Sequence, residues 1–164
     1  MKIGILSDTH DQTNNIVAAI QILKKYDIQK LFHCGDVTSL SCVQLICEFP
    51  LSLTFGNSDF LTGEMKDFIL STNSENSVGY QYEGECIGKR IGMTHSHLKG
   101  VLNGMIESQS FDYVFYGHRH LRSDQKIGVT RVINPGSLGG LKKQTRSICI
   151  LDLEKDEAVF EEIH

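Results

Sequence analysis

The chain opens with Lys2-Ile3-Gly4-Ile5-Leu6, a short and mostly apolar run of the kind a buried strand needs, and the run stops abruptly at Asp8-Thr9-His10. A carboxylate and an imidazole two residues apart, just past a strand end, place both groups on one rim. Asp-x-His alone is a weak signal. The chain returns to the same chemistry four more times, at Gly35-Asp36, Gly56-Asn57-Ser58-Asp59, Thr94-His95-Ser96-His97 and Gly117-His118-Arg119-His120. That recurrence is what makes the weak motif worth following.

The periodicity describes a fold. Ile16, Ala19, Ile20 and Leu23 stand at helical spacing, which predicts an amphipathic helix over 13–25 with Asp11 near its start. A strand over 30–34 follows. Leu40, Val43 and Cys47 then share a helical face before Pro50, and 51–55 is a third strand. The order β-α-β-α-β, with polar residues after every strand, predicts parallel pairing and a site at the carboxyl ends of the strands. Later the pattern changes. Met65, Phe68 and Ile69 mark a short helix, 71–77 reads as a loop, and 78–82 with 90–94 reads as a strand pair. Leu98, Val101, Leu102 and Met105 mark a helix weakened by Gly100 and Gly104. A buried strand over 112–116 and two hairpins, 121–133 turning near Gly128 and 147–163, complete the chain. Many late strands with few helices point to two sheets.

With 164 residues, a single domain over 1–164 is expected. A net charge of −4 without a basic run disfavours long nucleic acid held by bulk electrostatics. The apolar start is too short for a signal peptide and no run approaches a membrane span, so a cytoplasmic protein without a membrane partner is the expectation. Cys34, Cys42, Cys47, Cys86 and Cys149 are scattered without a CxxC and read as reduced thiols.

The strand-end motifs offer Asp8, His10, Asp36, Asn57, His95, His118 and His120. Carboxylate, imidazole and amide oxygen, with no thiolate, suit Mn²⁺, Fe²⁺, Ni²⁺ or Zn²⁺. Seven groups are too many for one tetrahedral ion and fit two ions if one carboxylate bridges them. The glycines at 35, 56 and 117 would let the chain turn sharply into the shared rim. Two divalent ions against Asp8 and Asp36 leave an excess of about two positive charges, enough to hold a hydroxide and attract a phosphate. In-line attack of that hydroxide on phosphorus is the two-metal scheme.

In this order the motifs resemble the calcineurin-like metallophosphoesterases, and among them the small bacterial and archaeal phosphodiesterases of the YfcE type. They span residues 8–120, and Asn134-Pro135-Gly136-Ser137 resembles the family's late turn. The resemblance implies a four-layer α/β/β/α sandwich with two mixed sheets. It implies one ion held by Asp8, His10, Asp36 and His120, and another by Asp36, Asn57, His95 and His118, with Asp36 bridging. The expected cofactors are two divalent ions, Mn²⁺ first, with Ni²⁺, Fe²⁺, Co²⁺ or Zn²⁺ as alternatives. The expected activity is hydrolysis of a small phosphodiester, and a homodimer or homotetramer is plausible for family members of this size. A phosphomonoesterase uses the same ions. A Vps29-like protein-binding scaffold, with a degraded metal site, is the rival from another class.

Two positions depart from the family pattern. Ser58 stands where larger members carry a His that protonates the leaving group, and a serine hydroxyl is too weak an acid for that role. Either His97, Asp59 or a metal-bound water acts instead, or only good leaving groups react quickly. Ser96 stands where the family usually has Gly. Asp59 reads as an orienter of the ligands or a turn former, and His97 equally as a phosphate contact or a surface residue. His33 reads as a packed or hydrogen-bonded strand histidine. Asn134 to Ser137 is a turn by composition, and Lys142, Lys143 and Arg146 read as a solvated face.

Overall fold

The computed structural model describes residues 1–140 and 144–164. Its elements run β1 (Lys2–Leu6), α1 (Thr13–Lys25), β2 (Lys30–His33), α2 (Leu40–Ile46), β3 (Leu51–Thr54), α3 (Thr62–Thr72), β4 (Ser77–Gly79), β5 (Gln81–Cys86), β6 (Lys89–Thr94), α4 (Val101–Glu107), β7 (Tyr113–Tyr116), β8 (Ser123–Ile127), β9 (Thr130–Asn134), β10 (Arg146–Asp152) and β11 (Glu157–Ile163). The first sheet has the order β11-β10-β1-β2-β3-β4 and the second β5-β6-β7-β9-β8. Both are mixed: β1 to β4 run parallel while β10 and β11 are antiparallel, and β6, β7 and β9 run parallel between two antiparallel edges.

Side-chain alternation assigns each strand two faces and so builds the layers. From β1, Ile3 and Ile5 join Phe32, Cys34, Cys149 and Leu151 against Ile91, Met93, Tyr113, Phe115 and Ile133 of the second sheet. Phe32 meets Phe115 edge-on, with ring centroids 5.4 Å apart. The opposite face of the first sheet, with Leu6, Leu31, Leu53 and Ile150, packs on α1, α2 and α3 through Ile16, Leu23, Val43, Ile46 and Met65. Val114 and Val132 from the outer face of the second sheet pack on Met105 of α4 and Phe111. The result is the four-layer α/β/β/α sandwich.

Three local expectations are corrected. The run 78–82 is not one strand: Val78 pairs with Leu53 in the first sheet, whereas Gln81 pairs with Thr94 in the second. The chain switches sheets at Tyr80, which is half exposed and lies edge-on to Phe55. In α2 the buried face is Cys42, Val43 and Ile46, because the helix stops at Ile46 and leaves Cys47 as its cap. The loop expected over 71–77 begins later, since α3 runs to Thr72 and β4 starts at Ser77. Asp11 lies near the start of α1 as expected, its carbonyl accepting the Thr13 N–H at 2.8 Å, and Gln12 occupies the N-cap without a side-chain hydrogen bond. The five cysteines are all unpaired. Arg146 begins β10, and Lys142 and Lys143 lie outside the described residues.

Register decides where the polar ends emerge. Leu6 pairs with His33, and His33 with Leu53, so β1, β2 and β3 finish at one level. Thr94 pairs with Tyr116 and Phe115 with Ile133, so β6, β7 and β9 do the same in the second sheet. The segments after these strands meet at one end of the sandwich. No helix among the described residues is long and apolar enough to cross a membrane.

Candidate metal centre

The turns that carry the candidate ligands are strained. Asp8 (φ 52), His10 (φ 41), Asp36 (φ 58), His118 (φ 73) and His120 (φ 54) are all in the left-handed region, as is Ser96 (φ 72). Such conformations are uncommon outside glycine, and Asp, Asn and His tolerate them best. The glycines serve differently from the sequence expectation. Of Gly35, Gly56 and Gly117, only Gly35 has a positive φ, at 101. Gly56 and Gly117 are needed for space: a methyl on Gly56 would lie 2.7 Å from the Asp36 nitrogen and collide with its Oδ1. One on Gly117 would lie 3.0 Å from Asp8 Oδ2 and 2.9 Å from the Cys34 oxygen. Backbone bonds lock the loops together, from Asp8 N to Gly35 O (2.9 Å), His10 N to Asp36 O (3.1 Å) and Gly139 N to Asp8 O (2.7 Å).

The protein holds each carboxylate by hydrogen bonds, Asp8 through one oxygen and Asp36 through both. Asp8 Oδ2 accepts from Ser7 Oγ and from the His118 N–H at 3.0 Å, and Asp36 Oδ1 accepts the Ser58 N–H at 2.8 Å. The remaining oxygens face the histidines. Asp8 Oδ1 lies 3.1 Å from His120 Nε2 and 3.9 Å from both His10 Nε2 and His95 Nε2. Asp36 Oδ2, which accepts from Ser58 Oγ at 3.0 Å, lies 3.4 Å from His95 Nε2 and 3.7 Å from His10 Nε2. His10 and His120 present their Nε2 atoms to each other at 3.4 Å. Ligands ~2.1 Å from one ion at near-tetrahedral angles stand about 3.4 Å apart, so these spacings suit a shared cation. Two groups, Asp8 with His10 and His120, and Asp8 with Asp36 and His95, have mutual spacings compatible with an ion.

The hydrogen bonding points the same way. The His95 Nδ1–H donates to the Cys34 carbonyl at 2.7 Å, which leaves its Nε2 lone pair free, and His120 Nδ1 lies 3.3 Å from Gln144 Oε1. His95 Nε2 and Asp8 Oδ1 are buried without a hydrogen-bond partner. Asp8 is fully buried and Asp36 nearly so, and among the described residues their ion-pair partners within 4.0 Å are histidines only. Two buried carboxylates without a Lys or Arg partner among the described residues are costly, and a divalent ion would offset that cost. Burial opposes the charge on Asp36, yet His95 and Ser58 hold its carboxyl well below the usual carboxylate range. Asp8 raises the His120 imidazole above its ordinary value; burial depresses His95, and the carboxylates outweigh it to give a net rise.

The other sequence-predicted residues are also close by. The His118 ring lies 5.1 Å from that of His95 and is exposed, and exposed Asn57 is in the same loop as Ser58. Asp59 is buried, and its carboxylate accepts the Asp36 N–H (2.9 Å), the Gly56 N–H (2.8 Å) and the Thr38 N–H (2.8 Å). His97 is 5.4 Å from His95 by ring centroids and has an unpartnered buried Nδ1; burial and its imidazole neighbours depress its pKa. The Asn134–Ser137 turn braces the rim, with Ser137 Oγ donating to Asp8 O (3.0 Å) and Asn134 Nδ2 to Gly117 O (3.2 Å).

His33 is the buried, hydrogen-bonded strand histidine expected from the sequence, but its partners leave no local pattern. The N–H of Gly35 donates to His33 Nδ1 at 3.1 Å, so the proton is on Nε2, 3.3 Å from Thr9 Oγ1. Thr9 Oγ1 in turn donates to the Asp36 carbonyl at 3.4 Å. His33 thereby links the first two ligand turns, and burial lowers its pKa to about 4. Ser7 and Gln144 were also invisible to pattern, because a single serine or glutamine beside a turn is commonplace.

Known proteins share this architecture. The phosphodiesterase MJ0936 of Methanocaldococcus jannaschii is 36% identical over 159 residues, covering 96% of both chains. A solved structure described as a novel archaeal phosphodiesterase superposes with a TM-score of 0.94 at 34% identity, covering 99% of this chain and 100% of that one. Vps29 of Chaetomium thermophilum shares the fold alone, at 14% identity and a TM-score of 0.73, with 99% and 97% covered. Residues 1–156 match the calcineurin-like phosphoesterase superfamily domain, and the chain belongs to that family.

Proposed function

We propose that this protein is a metal-dependent phosphodiesterase that hydrolyses a small phosphodiester at a dinuclear centre, with residues 1–164 acting as one domain. The observation that carries the proposal is the convergence of Asp8 and Asp36, buried and without a Lys or Arg partner among the described residues, on the Nε2 atoms of His10, His95 and His120. One ion would be held by Asp8, His10, Asp36 and His120 and the other by Asp36, Asn57, His95 and His118, with Mn²⁺ the leading candidate. When bound, two such ions supply a nucleophile at neutral pH and Lewis-acid stabilisation of the charge developing on the phosphoryl oxygens.

The chain's own groups prepare that chemistry. Ser58 and Asp59 fix Asp36 so that Oδ2 faces the histidines, and Ser7 with the His118 N–H fixes Asp8. His97, held neutral, offers an N–H to a phosphate oxygen rather than a charge. The Ser58 hydroxyl donates to Asp36 and is too weak an acid for the leaving group, so phosphodiesters with good leaving groups are the faster substrates. The scaffold reading requires a degraded site, whereas all seven candidate ligands are intact.

The test is hydrolysis of bis(p-nitrophenyl) phosphate after loading with Mn²⁺, Ni²⁺ or Co²⁺, with elemental analysis of the purified protein. Asp36→Asn and His118→Ala are each expected to lose ~100-fold or more in kcat/KM. An inactive wild type under every metal, or full activity in both variants, refutes the proposal; a protein that binds no metal favours the scaffold.

A further inference from the structure

A cleft of about 440 Å³ lies beside the ligand loops, lined by Ser96 and Lys99 from the segment between β6 and α4 and by His118 and Arg119 from the segment after β7. Ser96 Oγ donates to the Gly117 carbonyl at 3.3 Å and ties the two walls together. The cleft is therefore fixed relative to the candidate centre. Leu98 and Leu102 give it an apolar lining.

Lys99 and Arg119 are exposed, and among the described residues neither has an ion-pair partner. Arg122 and Arg131, by contrast, are paired with Glu162 and with Asp124 and Asp156. Two cations without ion-pair partners lining one cleft, on a chain of net charge −4, mark a local reversal of sign. The candidate centre accounts for the phosphoryl group of a substrate but not for these cations, which stand beyond the ligands.

We infer that this cleft receives the ester arm that stays on phosphorus, and that Lys99 and Arg119 select an arm ending in a second anionic group, carboxylate or phosphate, on a short apolar spacer. The inference rests on the phosphodiesterase reading and names the substrate class for it. Lysine supplies a point charge and arginine a fork that matches anionic oxygens. Two contacts of this exposed kind support a preference of about tenfold.

The experiment uses p-nitrophenyl phosphodiesters whose second arm is a propyl chain ending in carboxylate, phosphate or trimethylammonium. Nitrophenolate leaves from all three, so only the retained arm varies. The full-length metal-loaded protein is expected to favour anionic arms over the cationic one by about tenfold in kcat/KM, mainly through KM. The Lys99→Ala/Arg119→Ala variant is expected to bring that ratio close to one. A preference for only one anionic arm identifies which oxygen group is read. A ratio near one in the wild type, or an undiminished ratio in the variant, overturns the inference.

A second readout separates it from the parent reading. Methylphosphonate esters with the same arms are titrated into metal-free protein while backbone amide shifts are followed. Shifts at residues 98–103 and 118–119 with anionic arms only, lost in the variant, are the expected result. Such shifts without any hydrolysis would refute the phosphodiesterase reading while leaving the cleft's anion selectivity standing. Hydrolysis without them would overturn the cleft alone.

Discussion

Asp59 offers the sharpest test of how the ligand turns are held. Its Oδ2 accepts two N–H groups, from Asp36 at 2.9 Å and Gly56 at 2.8 Å, and its Oδ1 accepts the Thr38 N–H at 2.8 Å. The side chain is buried, so water does not readily replace it. In Asp59→Asn the amide oxygen takes the two-donor side, and the NH₂ is left facing the Thr38 N–H. One charge-assisted hydrogen bond is lost, about 1.5–3 kcal/mol. In Asp59→Ala all three donors lose their acceptor, and even with partial relaxation the cost is ~3–5 kcal/mol. A protein of this size loses roughly 2–4 °C in melting temperature per kcal/mol, so Ala should melt about 6–20 °C lower and Asn about 3–12 °C lower. Urea denaturation of the metal-free protein gives the free energies, and titration calorimetry with Mn²⁺ shows whether Asp36 has moved. An Asp59→Ala protein within ~1 kcal/mol of wild type, or indistinguishable from Asp59→Asn, would refute the reasoning.

Three further outcomes are expected. Burial lowers the His33 pKa to about 4, below the ordinary value of 6.5, so the unfolded chain binds the extra proton first. Its stability contribution is complete above pH 6.5 and falls towards pH 4 by about 3 kcal/mol, seen as a difference in urea melts between metal-free wild type and His33→Gln; parallel pH profiles would contradict this. Gly117→Ala places a methyl against Ser7, Asp8 and the Cys34 carbonyl, and should destabilise by ~1–3 kcal/mol while reducing kcat/KM by ~100-fold; undisturbed metal binding and turnover would rule it out. Arg131 bonds both oxygens of Asp124 and reaches Asp156, so Arg131→Lys should lose ~1 kcal/mol in denaturant melts with unchanged turnover; equal stability would show that the fork geometry is immaterial.

What the sequence disclosed, and what it concealed, follow from different kinds of order. Burial on one face leaves a period, and that is why 13–25 could be recognised as a helix with Ile16, Ala19, Ile20 and Leu23 inside. Strand ends were visible because apolar runs stop at Gly, Asp or His. The sheet switch at Tyr80 was not, because Val78 and Tyr82 look equally suitable for one continuous strand. Only the pairing of Val78 with Leu53 and of Tyr82 with Met93 separates them, and that is a long-range fact. The candidate ligands were readable as residue types in order. Asp59 was readable as an orienter of the ligands and accepts the Asp36 N–H, whereas the His118 N–H as a partner of Asp8 leaves no local pattern.

The backbone at the centre gives the ligand residues a second reason for their identity. Asp8, His10, Asp36, His118 and His120 are candidate ligands and also occupy left-handed conformations that cost on the order of 1–2 kcal/mol each for a residue with a Cβ. Asp and His tolerate that region better than most residues, so one substitution can disturb both the donor and the turn. The strain is held in place by contacts within the fold, such as Asp8 N to Gly35 O, Ser137 Oγ to Asp8 O and Asp59 to the Asp36 N–H. If these residues hold a cation, the backbone pairing between the loops reduces the ordering that its binding has to supply. Asp8 Oδ1 lies within 3.9 Å of His10, His95 and His120, while Asp36 Oδ2 lies within 3.7 Å of His10 and His95. Position alone therefore makes Asp8 as central as Asp36, and the bridging role expected for Asp36 rests on Ser58 and Asp59 orienting it rather than on unique proximity.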